Sequence, residues 1–215
     1  LPDCYQPNDR RRVVGRPLTR AEYGLPESGF VFCCFNQAYK ITPDVFSSWA
    51  RLLRQVEGSV LWLLEPGRQA TENLRYELRG REVDTNRMVF ARKLPLAEHL
   101  ARYQVADLAL DTFPYGSHTT ASDALWAGCP LIALRGKTFA SRVSSSILNN
   151  CGMPELVAQT LEDYERLSVK IARDTFIRRQ LRERLCKLRM SVPLFDCDLF
   201  TRNLERVYVE ILSSD

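Results

Sequence analysis

From Phe30 to Cys129 the chain alternates short unbroken apolar runs with longer stretches in which apolar positions recur every three or four residues. The runs are FVFCCF from Phe30, SVLWLL from Ser59, RMVF from Arg87 and VADLAL from Val105, and a fifth, PLIAL, starts at Pro130. Runs of this length without polar alternation suit strands covered on both faces, as in parallel sheets with crossover helices. Between the first two runs a helix opens at Thr42-Pro43-Asp44, which supplies an N-cap, a first-turn proline and an acidic first turn. Its residues Val45, Phe46, Trp49, Leu52, Leu53 and Val56 fall at helical spacing and predict a core-facing stripe. The pattern predicts an α/β fold with a Rossmann-like, doubly wound parallel sheet.

After Val157 the pattern changes. Thr160-Leu161-Glu162-Asp163 has the form of a capping box, and the remainder reads as helices to about Ile211. Three parts follow: a leading segment over 1–27, a Rossmann-like domain over 28–159 and a helical segment over 160–215.

A hydrophobic fraction of 45% and a charged fraction of 26% exclude a disordered chain, and no apolar run approaches the roughly 18 residues of a membrane span. The seven cysteines form no CxxC pair, and their odd number argues against a disulfide framework, so they read as reduced thiols of a cytoplasmic protein. Cys33 and Cys34, inside an apolar run, act as small hydrophobes. The opening residues LPDCYQPNDRRR carry no signal-like apolar stretch and read as the cut end of a longer protein. Nine Lys and Arg between Arg166 and Arg189 raise the question of a nucleic-acid surface, but acidic residues interrupt them and aromatics are sparse, which favours a solvated helix face.

Open α/β sheets bind ligands at the carboxyl ends of their strands, and three of the loops there are unusually polar. The first is Asn36-Gln37-Ala38-Tyr39-Lys40, where Lys40 can bring a point charge to a phosphate. The second runs from Asp111 through Gly116, Ser117, His118, Thr119 and Thr120 to Asp123. Gly116 permits close backbone approach, and the helix start at 117–120 favours an anion such as a diphosphate, with Asp123 one turn inside as an acceptor for ribose hydroxyls. The third is Leu94-Pro95-Leu96-Ala97-Glu98-His99-Leu100-Ala101-Arg102, which carries one of the two histidines; the other is His118. No DxD-like carboxylate pair lies in these loops.

The strings FNQAYK, SVLWLL, LPLAEHLARYQVADLALDTFPYGSHTTASDALWAGCPLI and ASRVSSSIL together resemble the C-terminal catalytic lobe of the O-GlcNAc transferase and SPINDLY-type family, glycosyltransferase family 41, over nearly the whole chain. The resemblance implies a GT-B enzyme whose nucleotide sugar is held by this lobe, with 1–27 leading in from an N-terminal lobe that tetratricopeptide repeats precede. It implies Lys40 as the cation on the departing diphosphate with Gln37 beside it, His118, Thr119 and Thr120 on the diphosphate, Asp123 on the ribose, and His99, Arg102 and the backbone near Leu94 around the base. Leu96 departs from the pattern, because some members carry a nucleotide-contacting Lys there. The expected reaction is inverting, without a metal or other cofactor, from UDP-GlcNAc to Ser or Thr of a protein acceptor. GDP-fucose as donor, or a non-catalytic nucleotide-binding or interaction module, are the alternatives. The expected partners include neither nucleic acid nor membrane.

Overall fold

The computed structural model describes residues 1–213. Six parallel strands, β1 (Val31–Cys34), β2 (Val60–Leu64), β3 (Met88–Ala91), β4 (Leu108–Leu110), β5 (Leu131–Leu134) and β6 (Val157–Ala158), form one sheet in the order β3-β2-β1-β4-β5-β6. The five apolar runs are the first five strands. Val31 pairs with Val60 on one side of β1 and Phe32 with Leu108 on the other. The chain therefore builds outward in one direction from β1 to β3 and in the other from β4 to β6. The crevice of such a sheet opens above the carboxyl ends of β1 and β4.

Among the described residues, eight α-helices connect and cover the strands: α1 (Pro43–Gln55), α2 (Arg68–Arg79), α3 (Leu96–Arg102), α4 (Thr119–Trp126), α5 (Phe139–Asn150), α6 (Leu161–Arg173), α7 (Thr175–Leu188) and α8 (Cys197–Leu212). Thr42 caps α1 by accepting from Val45 N, and Val45, Phe46, Trp49, Leu52 and Leu53 are all buried, as the spacing predicts. Thr160 caps α6 through Asp163 N. The helical segment is not an appendage: α6 packs on β4, β5 and β6 and against α1, so it completes one face of the sheet. No helix among the described residues is long and apolar enough to cross a membrane.

The sixth strand, Val157–Ala158, is absent from the sequence reading. Two residues carry no periodicity, and only the neighbouring edge of β5 makes them a strand, through the pairs Ala133 with Val157 and Leu134 with Ala158. In the basic run of 166–189, Arg166, Lys170, Arg173, Arg179, Arg184 and Lys187 are exposed, as a solvated face requires, while Arg178, Arg182 and Arg189 are half-buried and several of the arginines also reach backbone carbonyls. Arg178 donates to the carbonyls of Ile171 and Ala172 at the end of α6, Arg182 to Ala106 O, Arg184 to Gly152 O and Arg189 to Trp126 O. Most of these carbonyls lie at or just past helix ends, where backbone acceptors lack intrahelical partners and the dipole favours a cation.

The leading segment is laid along the domain. Trp126 Nε1 donates to Arg12 O at 3.0 Å, Gly15 N to Ala97 O at 2.9 Å, and Arg20 pairs with Asp107 at 2.8 Å.

One buried relay ties the helical layer to the crevice. Trp49 Nε1 donates to Tyr164 Oη at 3.1 Å, and Tyr164 Oη donates to Asp111 O at 3.0 Å, at the end of β4. Replacing Tyr164 with Phe leaves a buried indole N–H without its acceptor and a carbonyl without its donor. Urea unfolding of Tyr164→Phe is expected to show a loss of about 1–3 kcal/mol.

Candidate functional site

The loops that leave β1 and β4 are joined directly. Asn36 Nδ2 donates to Thr112 Oγ1 at 2.9 Å and to Ser117 Oγ at 2.6 Å, both buried. Lys40 ends the short helical turn Ala38–Lys40, which aims its side chain back across the crevice. Its Nζ donates to Gly116 O at 2.9 Å and lies 3.9 Å from the centre of the Tyr115 ring. Lys40 is only 8% exposed, and burial lowers its pKa while the Asp111 carboxylate opposes that shift. The ammonium is thus a charge that the protein holds in a poorly hydrated place.

Asp111 itself is fully enclosed. One carboxylate oxygen accepts from Thr112 N at 2.9 Å and from Ser117 N at 2.6 Å. Burial pushes its pKa up, and the Ser144 and Ser117 hydroxyls, followed by these two backbone bonds, hold the rise back. Gly116 has a steric reason to be glycine: a Cβ there would stand 2.7 Å from Ser144 Oγ and 3.0 Å from Asp111 Oδ2.

α4 begins at the same point, with His118 as its N-cap and no side-chain capping bond. Tyr5 Oη lies 2.5 Å from His118 Nδ1, while His118 Nε2 is buried without a hydrogen-bond partner among the described residues. With Tyr5 donating, the imidazole proton sits on Nε2. Burial, then the Lys40 charge, lowers the pKa of His118 and keeps the ring neutral. Tyr115 and Phe139 present ring edges to it at centroid distances of 5.6 and 6.4 Å. Thr119 is exposed, with Gln6 Nε2 at 3.5 Å, and Thr120 is half-buried.

Asp123, read as an open acceptor, is engaged. Arg12 Nη1 reaches its Oδ1 at 2.5 Å, and His99 Nε2 stands 3.9 Å from Oδ2. The Arg12 guanidinium also lies over the rings of Trp126 and Phe195, at 5.5 and 5.6 Å.

Arg102, expected beside the base, is 1% exposed, and it lines one cleft together with Leu94, the other residue expected there. Its guanidinium stacks 4.2 Å from the Phe35 ring centre, donates to Arg92 O at 2.7 Å and donates to His99 Nδ1. These contacts tie Arg102 to His99 and to the loop after β3. Because arginine only donates, His99 Nδ1 is the acceptor and its proton lies on Nε2, toward Asp123.

Gln37 and Leu96 are exposed, and Leu94 lines a cleft of about 420 Å³ with Leu18, Tyr23, Trp62 and Arg102. The structure therefore brings Lys40, His118 and the start of α4 together, and Asp123 with His99 one turn further along. Sequence reasoning assigns no role to Asn36, Asp111, Tyr115, Ser144, Tyr5 or Arg12. Asn36, Asp111 and Tyr115 lie inside the polar loops that it singles out. Tyr5 and Arg12 carry no local signal.

His99 is strongly shifted. Burial, then the Arg102 charge, brings its pKa from 6.5 down to about 4. Between these values the folded chain binds fewer protons than the unfolded chain, so stability is full above pH 6.5 and falls as the pH drops through the window. At about 1.4 kcal/mol per unit, roughly 2 kcal/mol should be lost between pH 6.5 and 5. Chemical denaturation at the two pH values checks this, and His99→Asn should flatten the dependence. Proton NMR, with only two imidazoles to assign, should show His99 titrating near pH 4.

Comparison with known proteins bears on this geometry. The family model for glycosyl transferase family 41 matches residues 11–204. The UDP-N-acetylglucosamine–peptide N-acetylglucosaminyltransferase of Caenorhabditis elegans is 38% identical over 87% of this chain, a span that is 16% of the relative. The Arabidopsis thaliana SEC protein, named as a probable transferase of the same kind, is 34% identical over 98% of this chain and 22% of the relative. Among solved structures, a mutant O-GlcNAc transferase from Thermobaculum terrenum superposes with a TM-score of 0.80 at 36% identity, covering 84% of this chain and 35% of that one. The chain thus spans about a fifth of the length of these curated relatives.

Proposed function

The chain belongs to glycosyl transferase family 41, and from that premise we propose that it is the nucleotide-sugar-binding half of an inverting protein O-glycosyltransferase that uses UDP-GlcNAc without a metal. The observation that carries this reading is the convergence of Lys40 Nζ, the unpartnered Nε2 of His118 and the start of α4 at one point of the crevice. Each of the three offers positive charge or a donor to an anion. A diphosphate bound there takes over the donors of Lys40 and His118, and the bond from Lys40 to Gly116 O is the one it replaces or shares.

In the reaction, the acceptor hydroxyl oxygen forms a bond to the anomeric carbon while the bond from that carbon to the diphosphate breaks, and the hydroxyl proton passes to the departing diphosphate and from there to solvent. The electron pair leaves on the nucleotide. Negative charge grows on the leaving oxygen, and a preplaced donor at such a position supplies about 2.7–4 kcal/mol. Lys40 is held by Gly116 O and the Tyr115 ring, so little reorganisation is needed when the charge develops. Because that charge is greatest at the transition state, Lys40 should matter more to turnover than to binding. Asp123 and His99 lie one helical turn away, where an attached nucleoside would extend, and Arg12 competes for the carboxylate.

Calorimetry of the chain with UDP, with GDP and with added EDTA tests the donor assignment. UDP should bind more tightly than GDP and equally with and without chelator, and binding that vanishes in EDTA would overturn the metal-free reading.

The chain alone should transfer no sugar, because the other half of the cleft orients the acceptor and effective molarities of about 10⁵–10⁸ M depend on that orientation. A radiolabelled transfer assay on the chain, on the complete polypeptide and on its Lys40→Ala variant should show product only in the second. Undiminished turnover in the variant would remove Lys40 from the mechanism.

A further inference from the structure

Most arginines of this protein are spoken for, by carboxylates on the surface or by carbonyls along α7. Arg135, Lys137 and Arg142, like Arg16, Arg79, Arg92 and Arg202, have no such partner among the described residues, and the first three share one cleft. These three are exposed, and the cleft that they line with Gly136 and Gln159 is shallow, about 420 Å³. No carboxylate lines that cleft.

The loop that carries two of these charges is rigidly built. Thr138 N donates to Ser141 Oγ at 3.0 Å, Ser141 N donates to Thr138 Oγ1 at 3.3 Å, and Gly136 N donates to Ser141 O at 3.1 Å. A Cβ at Gly136 would collide with the Ser141 side chain. The loop follows β5, so it lies on the same carboxyl edge of the sheet as Lys40 and His118. Phe139, the first residue of α5 and 59% exposed, bridges the two places, with its ring 6.4 Å from His118 and 5.2 Å from Tyr5. An extended chain whose hydroxyl reaches the crevice beside His118 can therefore pass over Phe139 and enter the basic cleft.

We propose that the cleft of Arg135, Lys137 and Arg142 docks an acidic segment of the polypeptide acceptor. The proposal rests on the reading of the protein as a transferase with a protein acceptor. Three like charges around one open cleft, carried by a well-held loop and with no internal anion, attract a carboxylate-rich chain and repel a basic one. A nucleic acid is the weaker fit, because three cations around a cleft of this size track few phosphates and no aromatic lines the cleft itself.

Fluorescence anisotropy with a labelled peptide of about a dozen residues, one serine among Asp and Glu, tests the docking surface. The control peptide has Asn and Gln at the acidic positions. The chain should prefer the acidic peptide, and added salt should weaken that binding. Substituting Arg135→Gln, Lys137→Gln and Arg142→Gln together should reduce the affinity by about tenfold, within the range expected of three exposed charge pairs. The three side chains are solvated, and UDP calorimetry on the variant should be unchanged.

Equal affinity for the two peptides, or undiminished affinity in the triple variant, would overturn the docking surface and leave the donor site standing. A chain that binds the acidic peptide but not UDP would overturn the transferase reading instead. Displacement of the peptide by a single-stranded oligonucleotide at concentrations below the peptide's own would assign the cleft to nucleic acid and overturn the proposal.

Discussion

The buried carboxylate of Asp111 is the constraint around which the crevice is organised. An ionised carboxyl taken from water must be given donors and a countercharge, or it takes up a proton. Here the donors are the backbone N–H groups of Thr112 and Ser117, which fold the loop after β4 back onto its own strand. That fold brings Gly116 O to Lys40 and places His118 at the start of α4. The countercharge is Lys40, which arrives from the neighbouring strand's loop and whose own desolvation the same carboxylate offsets. The two strands at which the sheet changes direction are thus coupled electrostatically as well as by backbone pairing. The absence of a Cβ at Gly116 is a condition of that coupling, because Ser144 and Asp111 already fill the space.

A second consequence concerns the leading segment. Tyr5, Gln6 and Arg12 each meet a residue of the α4 start or its first turns: His118, Thr119 and Asp123. Three of the groups expected to face a nucleotide are therefore also where the chain's first residues are anchored. Binding at this site and the path of the leading segment are not independent, since a ligand that takes one of these partners changes what the segment holds. The arginines of α7 do comparable work at the opposite edge, where they satisfy helix-end carbonyls and the entry to β4.

Strands and helices were legible in the sequence because their signal is local. FVFCCF and SVLWLL are continuous apolar runs, and the Val45 to Leu53 stripe has the helical period, so each declares its own burial wherever it packs. The loop from Asp111 to Asp123 was legible for a related reason: in a parallel sheet a loop that follows a strand emerges at the ligand edge, so polar residues there border the crevice. The two-residue β6 was not legible, because two residues have no period and become a strand only against β5.

The sequence by itself determined the alternation of elements, the sheet class, the family and the loops that carry Lys40, His118 and Asp123. Only the tertiary structure decided what those side chains face. Arg12 and Asp123 are separated by 111 positions, and Lys40 and Gly116 by 76. Arg102 occupies a position that sequence marks as ligand-side, and only the packing shows its guanidinium held by the Phe35 ring and Arg92 O. The physical reason is common to all three. Periodicity is set by the geometry of one element, whereas the partner of a charged side chain is whichever opposite charge, carbonyl or ring the packing of distant elements leaves within about 4 Å after water is expelled.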